Sequence, residues 1–105
     1  MIDPNQIANA LIKAGHDWAD QNAAADALTR ATKSMRAKCF LEAKGNNEER
    51  KARAETDPEY LEMAQRAEDA SRAALKAKVR YDTLKTKVEL IRTVESTKRA
   101  EMGMR

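Results

Sequence analysis

Between Tyr60 and Ile91 the chain places an apolar residue at alternating steps of three and four: Tyr60, Met63, Ala67, Ala70, Ala74, Ala77, Tyr81, Leu84, Val88 and Ile91. A seam of about 3.5 residues per step, with no polar interruption, lets one helix lie along another in a shallow left-handed supercoil. It is a packing signal and specifies no chemistry. The ends of its helix are marked too. Thr56-Asp57-Pro58-Glu59 offers either a capping box from Thr56 to Glu59 or Asp57 as N-cap with Pro58 at the first helical position. Gly103 marks the other end, with Lys98 and Arg99 in the preceding turns, where cations suit the negative end of the helix dipole. A helix over 58–102 is about 68 Å long at 1.5 Å per residue. So short a chain covers such a rod only if most of the remainder runs beside it.

Composition agrees. Of 105 residues, 42% are hydrophobic, 4% aromatic and 35% charged, with three glycines and two prolines. That is the makeup of long helices in a single domain without a sizeable globular core. The one cysteine, Cys39, has no internal partner for a disulfide, so a reducing compartment is expected. No secretory signal or membrane span is legible, and the cytoplasm is the expected location.

From the start, Asp3-Pro4 reads as an N-cap and first helical proline, opening a short helix over 4–14 with Ile7, Ala8, Leu11 and Ile12 on one face. Gly15-His16-Asp17 reads as a break, although a helix bent through Gly15 costs only about 1 kcal/mol relative to alanine. A second helix is expected over 17–44, closed by Gly45-Asn46-Asn47, with a loop over 45–56. Its apolar line is Trp18, Ala24 or Ala25, Leu28, Ala31, Met35 and Cys39, widened by Phe40 and Leu41. The expected fold is all-α: a long antiparallel helical hairpin of coiled-coil type with a short N-terminal helix.

The second helix, about 42 Å long, leaves roughly a third of the long helix unpartnered. Either the first helix covers that remainder, or another copy of the chain does. Leu84, Val88, Leu90, Ile91 and Val94 form the most hydrophobic segment, and leaving a branched side chain wet forfeits about 1.5 to 3 kcal/mol. They are the candidate self-association residues, and a homo-oligomer is expected.

Charge alternates in blocks: net −3 over 1–28, +5 over 29–53, −4 over 54–75 and +5 over 76–105. In a hairpin, Glu55, Asp57, Glu59 and Glu62 can neutralise Lys38, Lys44, Arg50 and Lys51 as solvated pairs, each worth under about 1 kcal/mol. The functional alternative is a basic surface that binds phosphates by counterion release. Its candidate residues are Arg30, Lys33, Arg36, Lys38, Lys44, Arg50, Lys51 and Arg53. Trp18, Tyr60 and Tyr81 fall on helical seams and read as packing residues. Phe40 lies one position off its seam between Lys38 and Lys44, where an aromatic ring can stack on unpaired bases.

Catalysis finds little support. His16 has no cysteine, serine or second histidine in a recognisable relation to it and reads as a turn or capping residue. Cys39 reads as a small buried hydrophobe. No phosphate loop, metal-ligand cluster or nucleophile motif appears, so no enzyme, cofactor or metal is expected.

The run Met35-Arg36-Ala37-Lys38, followed by an amphipathic turn, Gly45 in a polar loop and a second helix, resembles phage recombination mediators of the UvsY type. The layout is similar over about residues 20–102, and the motif-like part is that run. The resemblance implies a homo-oligomer that binds single-stranded DNA and helps load a RecA-like recombinase onto strands covered by a single-strand-binding protein. By position, Arg36 and Lys38 take the place of the family's basic pair. This chain is shorter and its hairpin richer in alanine. The competing reading is a homo-oligomeric helical adaptor, or a structural or inhibitory phage protein, that binds protein partners and not nucleic acid.

Overall fold

The computed structural model describes residues 3–103, which form three α-helices. The first, α1, spans Pro4–Glu42; α2 spans Asn47–Thr56; α3 spans Pro58–Gly103. The molecule measures 84 × 21 × 14 Å with a radius of gyration of 23.4 Å. A compact chain of this length has a radius near 13 Å, from the usual scaling.

The N-caps account for the helix starts. The Asp3 carboxylate accepts the Asn5 N–H at 2.9 Å, ahead of Pro4. The Asn46 side chain accepts the Glu49 N–H at 2.9 Å and opens α2. Gly45, at φ 121°, makes the turn that precedes it. Of the two starts open for α3, the structure has Asp57, whose carboxylate accepts the Glu59 and Tyr60 N–H groups at 2.9 and 3.4 Å. The Thr56 hydroxyl instead donates back to the Ala52 carbonyl.

Two expectations are corrected here. The segment read as a loop over 45–56 is α2 from Asn47 onward, with Glu48 and Glu49 in its first turn and Arg53 in its last, the arrangement that suits a helix dipole. Helices read separately over 4–14 and 17–44 are one helix, running through Gly15 and ending at Glu42. A Cβ added at Gly15 would lie 3.2 Å from Tyr81 Cε2, so the glycine serves close approach of α1 to α3 and not a break. His16 is accordingly an exposed residue inside α1 and neither a turn nor a cap.

Helices α1 and α3 lie side by side and antiparallel. Thr32 reaches Met63, Trp18 stacks on Tyr81 with centroids 5.6 Å apart, and Asp17 meets Arg80 at 3.2 Å. All ten seam positions from Tyr60 to Ile91 are buried or half-buried, and Ala64 is the one further residue of α3 in those classes. On α1 the facing positions are Ile7, Leu11, Ala14, Trp18, Gln21, Ala25, Leu28, Thr32, Met35 and Cys39, again in steps of four and three. Ala24, Ala31, Ala8 and Ile12 are exposed and lie off that line. Two polar residues occupy it instead, and both are satisfied. The Thr32 hydroxyl donates to the Leu28 carbonyl at 2.8 Å and approaches that of Met63 at 3.3 Å; the Gln21 amide donates to Asp17 at 3.1 Å. That bond and the Arg80 guanidinium hold the Asp17 carboxyl below its usual range.

The core is thin. The buried residues are Ala25, Cys39, Ala54, Ala67, Ala74 and Ala77, all small. Substituting Gly15 with leucine is therefore expected to destabilise the fold by about 1 to 3 kcal/mol, because the side chain must displace the Tyr81 ring. Gly15→Ala, which gains helix propensity while crowding the same ring, should stay within about 1 kcal/mol of the parent. Urea unfolding followed by helical circular dichroism checks both.

The unbroken α1 also changes the length argument. At 39 residues it is about 58 Å long, and Ile7 and Leu11 line one groove with Val88 and Ile91. Leu84, Val88 and Ile91 are half-buried against this same chain, whereas Leu90 and Val94 are 62% and 52% exposed on another face. The five candidate self-association residues do not form one surface. Past Ile91 every described residue of α3 is exposed. Among the described residues no helix is long and apolar enough to cross a membrane.

Candidate nucleic-acid interface

Where α1 ends and α2 folds back against it, a groove of about 450 Å³ opens between them. Its floor is apolar: Ala37, Phe40, Leu41 and Ala54. Its rim is basic: Lys33 and Arg36 one turn apart on α1, and Lys51 on α2. The turn around Gly45 brings these groups together from segments 15 to 18 positions apart in the chain. Arg50 backs the site. Its Nε donates to the Phe40 carbonyl at 3.2 Å, and its guanidinium carbon lies 4.5 Å from the centroid of the Phe40 ring. A cation so placed is attracted by the ring's electron-rich face and holds the aromatic in position.

Of the eight basic candidates, Lys33, Arg36 and Lys51 line the groove and Arg50 braces its aromatic floor. Arg30, Lys38, Lys44 and Arg53 do not line it. Arg36 is not free of carboxylates. It pairs with Glu55 at 2.7 Å, both side chains nearly half exposed. Glu62 is taken by Arg66 within α3 at 2.9 Å. The neutralising pairs considered for Lys38, Lys44, Arg50 and Lys51 do not form among the described residues. Lys33 and Lys51 are thus the rim cations without a carboxylate partner there.

Phe40 is the aromatic that sequence position singles out, and it lies half-buried in the groove. Leu41, 73% exposed, extends the apolar floor outward. Trp18, Tyr60 and Tyr81 are half-buried along the two helical seams. Cys39 is buried beside this corner, where burial first and the Asp57 carboxylate second push its thiol above its ordinary range. Reaction with a disulfide reagent at pH 8 is therefore expected to be at least about tenfold slower in the folded protein than in urea, since the thiolate is the attacking species. Timed absorbance of the released thiol measures this.

An apolar slot with an aromatic floor and cations on opposite walls can hold a flat, apolar group while phosphates or carboxylates meet its rim. No protein-family model matches this chain, and no match is found among curated proteins or solved structures.

Proposed function

We propose that the chain is a non-catalytic accessory protein that binds single-stranded DNA, with the α1–α2 groove as its contact surface. The observation that carries this reading is the convergence of Lys33, Arg36 and Lys51 around Phe40. Lysine and arginine supply phosphate contacts, and the ring supplies a platform that accepts any base. The likeness of Met35-Arg36-Ala37-Lys38 to the UvsY-type run supports a role beside a RecA-like recombinase and a single-strand-binding protein in phage-type recombination or replication. Self-association completes the proposal: one groove offers few contacts, and several in one assembly add through effective concentration.

Titrating labelled oligothymidylate against the protein over a range of salt tests it. Three or four phosphate contacts predict a slope of log K against log salt of roughly −2 to −3. Absence of binding at low salt contradicts the proposal. A second reading, a helical adaptor that binds protein, is favoured by the exposed apolar side chains Leu61, Leu75, Val79, Leu90 and Val94 along α3.

A further inference from the structure

We infer that a second copy of this chain packs in parallel along the outer face of α3, the two molecules being related by a two-fold axis that follows their third helices. This rests on the self-association proposed above and names its surface. Leu75, Val79, Leu90 and Val94 are 61%, 56%, 62% and 52% exposed. With Thr83 and Thr86 they form one line, in which 75 and 86, 79 and 90, and 83 and 94 are each eleven residues apart. At about 100° per residue this line falls nearly half a turn from the seam that meets α1. An eleven-residue period keeps an apolar stripe almost straight along a helix, with a slight right-handed drift.

Along the stripe runs a shallow groove whose floor is Val79, Thr83, Thr86 and Leu90 and whose lips carry Asp82 on one side and Lys87 on the other. Glu89 continues the acidic lip and Lys76 the basic one. Five residues apart and on opposite sides of the stripe, Asp82 and Lys87 do not satisfy each other within one helix, and neither joins an ion pair among the described residues. Parallel two-fold packing lays each acidic lip against the other copy's basic lip, with Asp82 facing Lys87 of the second copy. This is the spacing at which flanking charges bridge parallel helices. Antiparallel packing would instead set Asp82 beside Glu89 of the other copy and gather the lysines together, a like-charge arrangement that disfavours it.

The rod also has surface to spare for a partner. The chain exposes 8404 Å² at 11.8 kDa, against roughly 5,900 Å² for a compact monomer of that mass. The parallel orientation also places both Phe40 grooves at the same end of the dimer.

Sedimentation equilibrium of the full chain, with helical circular dichroism as the folding control, is expected to show a dimer. Asp82→Lys and Lys87→Asp should each weaken it about tenfold, and the double exchange should restore it to within about threefold of the parent. Orientation is read separately: in a Cys39→Ala background, Val79→Cys, whose two copies meet in the parallel pair and lie far apart in the antiparallel one, is expected to give a disulfide-linked dimer under mild oxidant. A folded protein that stays monomeric overturns both the inference and the self-association behind it. A dimer indifferent to Asp82→Lys, or one that Val79→Cys fails to cross-link, overturns this surface alone.

Discussion

Ala77→Glu is expected to abolish cooperative thermal unfolding, with helical circular dichroism at 25 °C falling well below that of the parent. Ala77 is 1% exposed, midway along the line where α3 meets α1. Among the described residues no charged side chain is buried, and burying a carboxylate there unpaired costs several kcal/mol. Turning it out to solvent requires the two helices to part, and the remaining core consists of other small side chains with little apolar area to offset the loss. Domains of ordinary size have only about 5 to 15 kcal/mol of stability in total. Ala77→Leu, which adds volume without charge, should cost about 1 to 3 kcal/mol by forcing the backbones apart. Ala73→Glu, one turn earlier at an exposed position, should change stability by no more than about 0.5 kcal/mol. If Ala77→Glu melts like the parent, α1 does not lie where it is described.

Charge reversal at the groove is the second large effect. Lys33→Glu combined with Lys51→Glu is expected to lower affinity for oligothymidylate on the order of 100-fold at low salt, through lost counterion release and new repulsion from phosphate. The same change of net charge made outside the groove, Arg30→Glu with Lys44→Glu, should cost much less. Equal losses from the two pairs would show a diffuse cationic surface and remove the groove from the proposal. Phe40→Ala adds a separate readout. It should reduce affinity at every salt concentration by the value of one stacked base, about 1 to 3 kcal/mol, while leaving the salt slope in place.

Much of this architecture is legible in the residues, and the failures are physical. The α3 seam is readable because each of its ten positions is apolar and the step never slips. The matching line on α1 is interrupted by Gln21 and Thr32 and flanked by Gly15, each acceptable for a reason that lies elsewhere: the Asp17 carboxylate, the Leu28 and Met63 carbonyls, and the Tyr81 ring. A search for apolar residues passes over them, moves the line to Ala31 and turns Gly15 into a break. In the same way, Gly45-Asn46-Asn47 signals a turn correctly, but Asn46 also caps α2, so the turn is shorter than a cluster of polar residues suggests. The basic residues of the groove are visible as a block. Which of them meet is decided by the angle at which α2 returns, and that is not written in their spacing. The pairing of Arg36 with Glu55 is hidden for the same reason.

The antiparallel course of α1 and α3 has a consequence for how the protein assembles itself. Partners near the α2 corner, such as Thr32 and Met63, are 31 residues apart, whereas Asp17 and Arg80 are 63 apart. Loop closure costs more entropy as the intervening chain lengthens, so the corner closes first and the contacts propagate outward like the teeth of a zip. Amide protons beside the corner should then be the slowest to exchange, and the far tips, where Pro4 and Glu95 line one groove, should open before any other part.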